Sequence, residues 1–193
     1  MKKSLLAAAL FSTSLLFGAN SMQININNDT LELNSDFSLN NTLDVNSGGD
    51  FYYTLSYLTT KAKDNEENQS LTTMGMKVVN PYVDNYGFSL GIGIKTVYTN
   101  QYEKSFSTIP LSLFIKYELN EMFYFDLEGS YAPRVLSFMD AENYRDIKLK
   151  ANYKILDGGY AYIGARDIEV TYKDQKDAIK YDTSMFFGYE FRF

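Results

Sequence analysis

Asp126 and Glu128 are two carboxylates two residues apart, roughly 7 Å from each other if the segment is extended. A pair at that separation suits glycoside hydrolysis. Their neighbours support a different reading. A short loop at 120–122 sets Leu119 opposite Phe123, Tyr117 opposite Phe125 and Lys116 opposite Asp126. Lys148 and Lys150 lie on the matching face of a later segment. The expected arrangement is a charge-balanced network, not a catalytic dyad.

Other chemistry fails on residue types. The chain has 193 residues, no Cys and no His. Thiol nucleophiles, disulfides, Ser-His pairs and ordinary zinc sites are therefore excluded. Gly91 and Gly93 open a phosphate-loop pattern, but the third glycine is missing and the pair lies inside a strand-like segment. Asp64, Glu66 and Glu67 lack calcium-loop spacing and read as a solvated loop. No catalytic residue, metal or cofactor is expected. A net charge of −6 without basic clusters argues against nucleic acid as a partner.

The elements that position these charges are strands. Phe88, Leu90, Ile92, Ile94, Thr96 and Tyr98 share one face of a segment; Ser89, Gly91, Gly93, Lys95 and Val97 share the other. Ile147, Leu149, Ala151, Tyr153 and Ile155 likewise oppose Asp146, Lys148, Lys150, Asn152 and Lys154. A period of two is strand geometry; a helix would scatter these residues. Eight such segments are predicted, at 51–62, 69–79, 86–98, 107–119, 122–134, 143–155, 159–172 and 180–193. Within 22–48, Gln23 to Asn27 and Thr30 to Leu33 also alternate, and a hairpin there makes ten strands. The reading leans to ten. In 159–172 one register sends Ala161, Ile163 and Ala165 outward and Arg166 inward.

Residues 1–21 read as an export signal. Lys2 and Lys3 precede an apolar run from Leu5 to Phe17, and small residues allow a cut after Ala19 or after Ser21. The run is too short to span a bilayer, which takes roughly 20 apolar residues. Removing the segment takes the charge from −6 to −8 and leaves one domain, 22–193.

Alternation alone fits a soluble sandwich or a membrane barrel. Aromatic residues near the ends of the apolar faces, strands of about 12–14 residues against about 5–6 in a sandwich, and an aromatic terminal strand favour the barrel. The expected fold is an all-β, antiparallel, up-and-down transmembrane barrel of 8–10 strands. Its inner face would carry Lys95, Lys116, Glu118, Asp126, Glu128, Lys148, Lys150, Glu190 and Arg192. In the last strand Tyr181, Thr183, Met185, Phe187, Tyr189, Phe191 and Phe193 share the outer face. Tyr189, Phe191 and Phe193 resemble the C-terminal assembly signal of bacterial outer-membrane proteins. With both termini in the periplasm, the loops near 63–68, 99–106, 135–142 and 173–179 would be external. Arg134, at the external rim, would reach lipopolysaccharide phosphate or join the interior network; the second is expected.

Two blocks carry a more specific resemblance, Gly93-Ile94-Lys95-Thr96-Val97-Tyr98-Thr99-Asn100 and Tyr131-Ala132-Pro133-Arg134-Val135-Leu136-Ser137-Phe138. With Ala141, Asn143, Tyr144, Gly164-Ala165-Arg166 and Phe187-Gly188, they are similar to the YfaZ family of outer-membrane proteins. The resemblance implies an outer-membrane barrel, sometimes described as porin-like, with no substrate or reaction attached. It also implies outer-membrane lipid, lipopolysaccharide and the barrel-assembly machinery as partners. Small-barrel proteases, palmitoyl transferases and deacylases use a catalytic His, which this chain lacks. The expected function is a porin-like barrel with at most a narrow, charge-lined lumen. The alternatives are a closed structural or ligand-binding barrel and a soluble periplasmic β-protein.

Overall fold

The computed structural model describes residues 20–40, 49–61, 69–80, 87–100, 105–173 and 178–193. The predicted export signal, residues 1–19 of it, and the acidic loop 64–67 lie outside the described residues. Twelve strand segments form a single antiparallel sheet. They are β1 (Ser21–Ile26), β2 (Thr30–Ser38), β3 (Asp50–Thr60), β4 (Gln69–Asn80), β5 (Phe88–Asn100) and β6 (Ser105–Thr108). There follow β7 (Leu111–Glu118), β8 (Phe123–Ala132), β9 (Ser137–Met139), β10 (Ala141–Leu156), β11 (Gly159–Tyr172) and β12 (Ile179–Arg192).

The sheet closes on itself. β1 pairs with β12 in antiparallel register, Ser21 opposite Arg192 and Ile26 opposite Phe187. β4 pairs with β5. β6 and β7 are one stave interrupted at Ile109-Pro110, where proline removes a ladder donor. β8 and β9 are another, interrupted by Pro133 and a 3-10 turn at Arg134–Leu136. Counted this way the wall is a ten-stave up-and-down barrel, and the N-terminal hairpin β1–β2 supplies the two staves beyond eight.

Local chemistry fixes the tight turns. Asn27 Oδ1 accepts the amides of Asp29 at 2.8 Å and Thr30 at 2.6 Å, closing β1–β2. Asn120 Oδ1 accepts those of Met122 and Phe123, both at 2.9 Å, closing β7–β8. Leu119 N then donates to Phe123 O at 3.0 Å. Lys116 stands opposite Asp126 and Tyr117 opposite Phe125, as the loop length predicts. Gly158, in the β10–β11 turn, has φ +75°, and a Cβ there would sit 2.6 Å from Arg192 O. At Gly93 a Cβ would meet Met76 O at 2.7 Å and the Phe114 ring at 3.1 Å, so the missing side chain admits that ring to the interior.

The outer surface is an apolar band. Ile92 is 64 % exposed, Leu111 58 % and Phe187 73 %. Aromatic pairs mark one border: Phe88 with Tyr117, Phe123 with Tyr153, and Tyr189 with Phe191, at centroid distances of 5.4, 4.7 and 4.5 Å. Most charged groups of the strands face inward; an outer cluster of Arg145, Asp167, Glu169 and Lys180 sits toward the loop end of β10, β11 and β12. The distribution inverts that of a water-soluble sandwich and suits hydrocarbon outside. Ala161, Ile163 and Ala165 pair with the outward face of β12, and Arg166 is buried inside.

One residue of β12 departs from simple alternation. The ladder slips between Ile168 and Glu169, opposite Lys180 to Asp182. This bulge turns Tyr181 inward, where it is 4 % exposed, instead of outward beside Thr183.

Candidate functional site: the lumen

The lumen has two parts. At the end holding both termini it contains a cavity of about 390 Å³. The nine predicted inner-face residues, Lys95, Lys116, Glu118, Asp126, Glu128, Lys148, Lys150, Glu190 and Arg192, all line it. Their placement follows from alternate positions on β5, β7, β8, β10 and β12. The register sets Lys148 opposite Glu128 and Lys150 opposite Asp126.

Each base lining the cavity has a carboxylate. Lys77 pairs with Asp36 at 2.8 Å, Lys148 with Glu32 at 2.7 Å, Lys150 with Asp126 at 3.5 Å and Arg192 with Glu190 at 2.7 Å. Lys95 pairs with Glu128, and Lys116 pairs with Glu118. The last pairing corrects the sequence reading. Lys116 lies across from Asp126, but its ammonium turns along its own strand to the carboxylate two residues on. Asp126 is taken instead by Lys150 and by Asn152, whose amide is 3.0 Å away.

Arg166 forms the most enclosed contacts. Its side chain is fully buried, and it bonds Glu32 at 2.5 Å and Asp182. Glu32 also accepts Asn25 Nδ2 at 2.6 Å. The Phe186 ring lies 5.1 Å from the guanidinium. Thus β2 crosses the lumen through Glu32 to β10 and β11, and the N-terminal hairpin is tied to the far wall. Sequence reasoning put Asp146 and Asp182 on the inner faces without singling them out, and left Glu32 unassigned. The signal was present: Glu32 falls on the polar face of Thr30 to Leu33, and Asp146 on the face of Lys148.

Tyrosines complete this wall. Tyr124 OH donates to Glu190 at 3.1 Å and accepts from Arg192 at 2.6 Å. Arg192 also stacks 4.2 Å from the Tyr160 ring centroid. Such burial of long cations is sustained by paired charge and ring faces together.

The opposite end of the lumen is apolar. Phe106 is wholly buried and packs on Tyr144, Tyr172 and Tyr181, with centroids 6.3, 6.1 and 5.8 Å away. Leu58, Leu71, Val97, Ile168 and Val170 join them. The Tyr172 and Tyr181 hydroxyls bond at 2.6 Å across the β11–β12 pair. This plug caps the cavity, whose inner boundary includes Leu58, Leu71, Tyr144 and Ile168.

Outside, Arg134 does not join the interior network. It is 75 % exposed and meets Glu142 at 3.7 Å at the loop-end rim, because the 3-10 turn carries it off the β8 ladder. Tyr189 and Phe191 point outward at the β1–β12 seam, opposite Ile24 and Met22. Phe193 N donates to Asn20 O at 3.0 Å, extending that seam, and its ring is 70 % exposed. Among the described residues no group of three or more acidic side chains is placed to hold a metal.

A closed, up-and-down sheet with lipid-type residues outside and paired charges inside is a transmembrane β-barrel. The chain belongs to the YfaZ family: the family model described as YfaZ precursor matches residues 1–193. Among solved structures, the chain is similar to the outer membrane channel DcaP of Acinetobacter baumannii, with a TM-score of 0.43 and 10 % identity. That match covers 91 % of this chain and 62 % of the DcaP chain, so this barrel spans under two thirds of its length. No curated protein matches the chain.

Proposed function

We propose that this protein is a bacterial outer-membrane barrel with a narrow porin-like lumen, entered from the periplasm and restricted at its external end by the aromatic plug. The observation that carries the reading is the cavity of about 390 Å³ that ends against Phe106 and its neighbours. The periplasmic placement of the open end rests on the termini and short turns gathered there. The bases lining the cavity are matched by carboxylates, which supports a passage or a binding vestibule over catalysis. Outer-membrane lipid, lipopolysaccharide and the assembly machinery are its proposed partners, through the apolar band and the Tyr189-Phe191-Phe193 strand.

Single-channel recording on the refolded barrel tests the pore. Small, stable current steps are expected, and larger or more frequent ones from Phe106→Ala. Silence from both proteins would sink the reading. A closed ligand-binding barrel is the second reading, favoured by the completeness of the plug.

Signal cleavage after Ala19 is also proposed. Asn20 N donates to Asp36 O at 2.7 Å, and Ser21 pairs with Arg192, so both residues serve the seam. A mature N-terminus at Met22 by mass spectrometry would refute this.

A further inference from the structure

The vestibule carries more acid than base. Eight carboxylates line it against six basic side chains. Each base is matched to a different carboxylate, as described above. Two carboxylates remain, Asp50 and Asp146, neither with an ion pair among the described residues. Arg166 and Asp182, just outside the cavity, cancel each other and leave that excess unchanged.

The two acids lie at different depths. Asp50 begins β3 at the terminal end and is held by Asn40 Nδ2 at 2.7 Å. Asp146 lies deeper, beside Tyr144 at the foot of the plug. Among the described residues its Oδ1 is buried without a hydrogen-bond partner, and its Oδ2 is reached by Tyr144 OH at 3.5 Å. The Lys95 ammonium acts on Asp146 through space but is bonded to Glu128, so the Asp146 carboxylate lacks a charged hydrogen-bond donor of its own among the described residues. The cavity is too large for a bare ion and falls in the size range of small-molecule pockets. Tyr52, Phe114 and Tyr144 add ring surface along its wall.

We propose that the vestibule binds a small aliphatic amine, with the ammonium at Asp146 and Asp50 drawing it in at the mouth. An ammonium brings three donors, enough for the Asp146 carboxylate and the Tyr144 hydroxyl together. This deepens the lumen reading by naming its ligand class.

The test is titration calorimetry on the full barrel in detergent at low salt, with 1,4-diaminobutane as probe and succinate as its anionic counterpart. Saturable binding of the diamine is expected, with succinate at least roughly tenfold weaker. Asp146→Asn should weaken the diamine roughly tenfold, while Asp146→Glu keeps it. No saturable diamine binding, equal binding of succinate, or an unchanged Asp146→Asn barrel would each overturn the proposal. Should Asp146→Asn fail to fold, the comparison of the two probes on the wild type decides. Diamine binding without conductance supports this site while the pore reading falls. Conductance without diamine binding overturns this site and leaves the pore standing.

Discussion

The two halves of the lumen are lined by the same strands and hold opposite interiors. Toward the termini, inward positions of β8 and β10 are Asp126, Glu128, Lys148 and Lys150, and a cavity remains between them. Toward the loops, inward positions of β5, β6 and β11 are Val97, Phe106, Ile168 and Val170, which belong to one packed apolar cluster. The difference shows how one wall makes both a vestibule and a stopper. Long charges pair across the space between them and leave part of it open, whereas branched and aromatic side chains pack together and exclude water.

The sharpest way to break the contrast is at Phe106. Phe106→Ala removes the centre of the plug and should destabilise the barrel by about 4 kcal/mol, read as a lower urea midpoint. It should also raise conductance; an intact midpoint would mean the plug contributes little. Next is Arg166→Met, which strands Asp182 and half of the Glu32 pairing in a buried site. A loss of about 3 kcal/mol is expected by the same measurement, and Arg166→Met with Asp182→Asn should recover part of it, since Glu32 keeps Lys148. Lys116→Asp comes third. It sets a new acid beside Glu118 and opposite Asp126, in a half-buried position, and should cost about 1 kcal/mol. Its heat-resistant folded band should melt earlier in electrophoresis. The smallest effect is at the β10–β11 turn, where Lys154 sits 2.7 Å from Asp157 and holds its carboxyl below the usual range. A lowered folded-state value means any stabilisation is present above the ordinary carboxylate range and is lost as pH falls through the lowered one. Asp157 is 99 % exposed, so Asp157→Asn should leave the pH profile of unfolding unchanged within error.

Much of this was legible in the amino-acid order. Strict alternation in 88–98 and 147–155 disclosed the strands and their faces. The short turn at 120–122 disclosed the Lys116–Asp126 register, because so few residues permit only one return. Three features escaped for physical reasons. Lys116 has a stem long enough to turn along its own strand, and register does not constrain where an ammonium ends. Tyr181 changed face through a bulge whose only trace is a ladder slip on the neighbouring strand. The plug was hidden because an apolar residue at an inward position reads as noise when polar residues are expected inside. The vestibule was the more readable half, since charges declare their face and apolar residues do not.

The slip between Ile168 and Glu169 makes β12 two rulers laid end to end with their marks offset. Below it, odd-numbered residues from Met185 to Phe191 belong to the lipid. Above it, the odd-numbered Tyr181 belongs to the stopper. The lipid-facing signal and the latch of the plug are thereby uncoupled, so each can change its spelling without dragging the other out of phase.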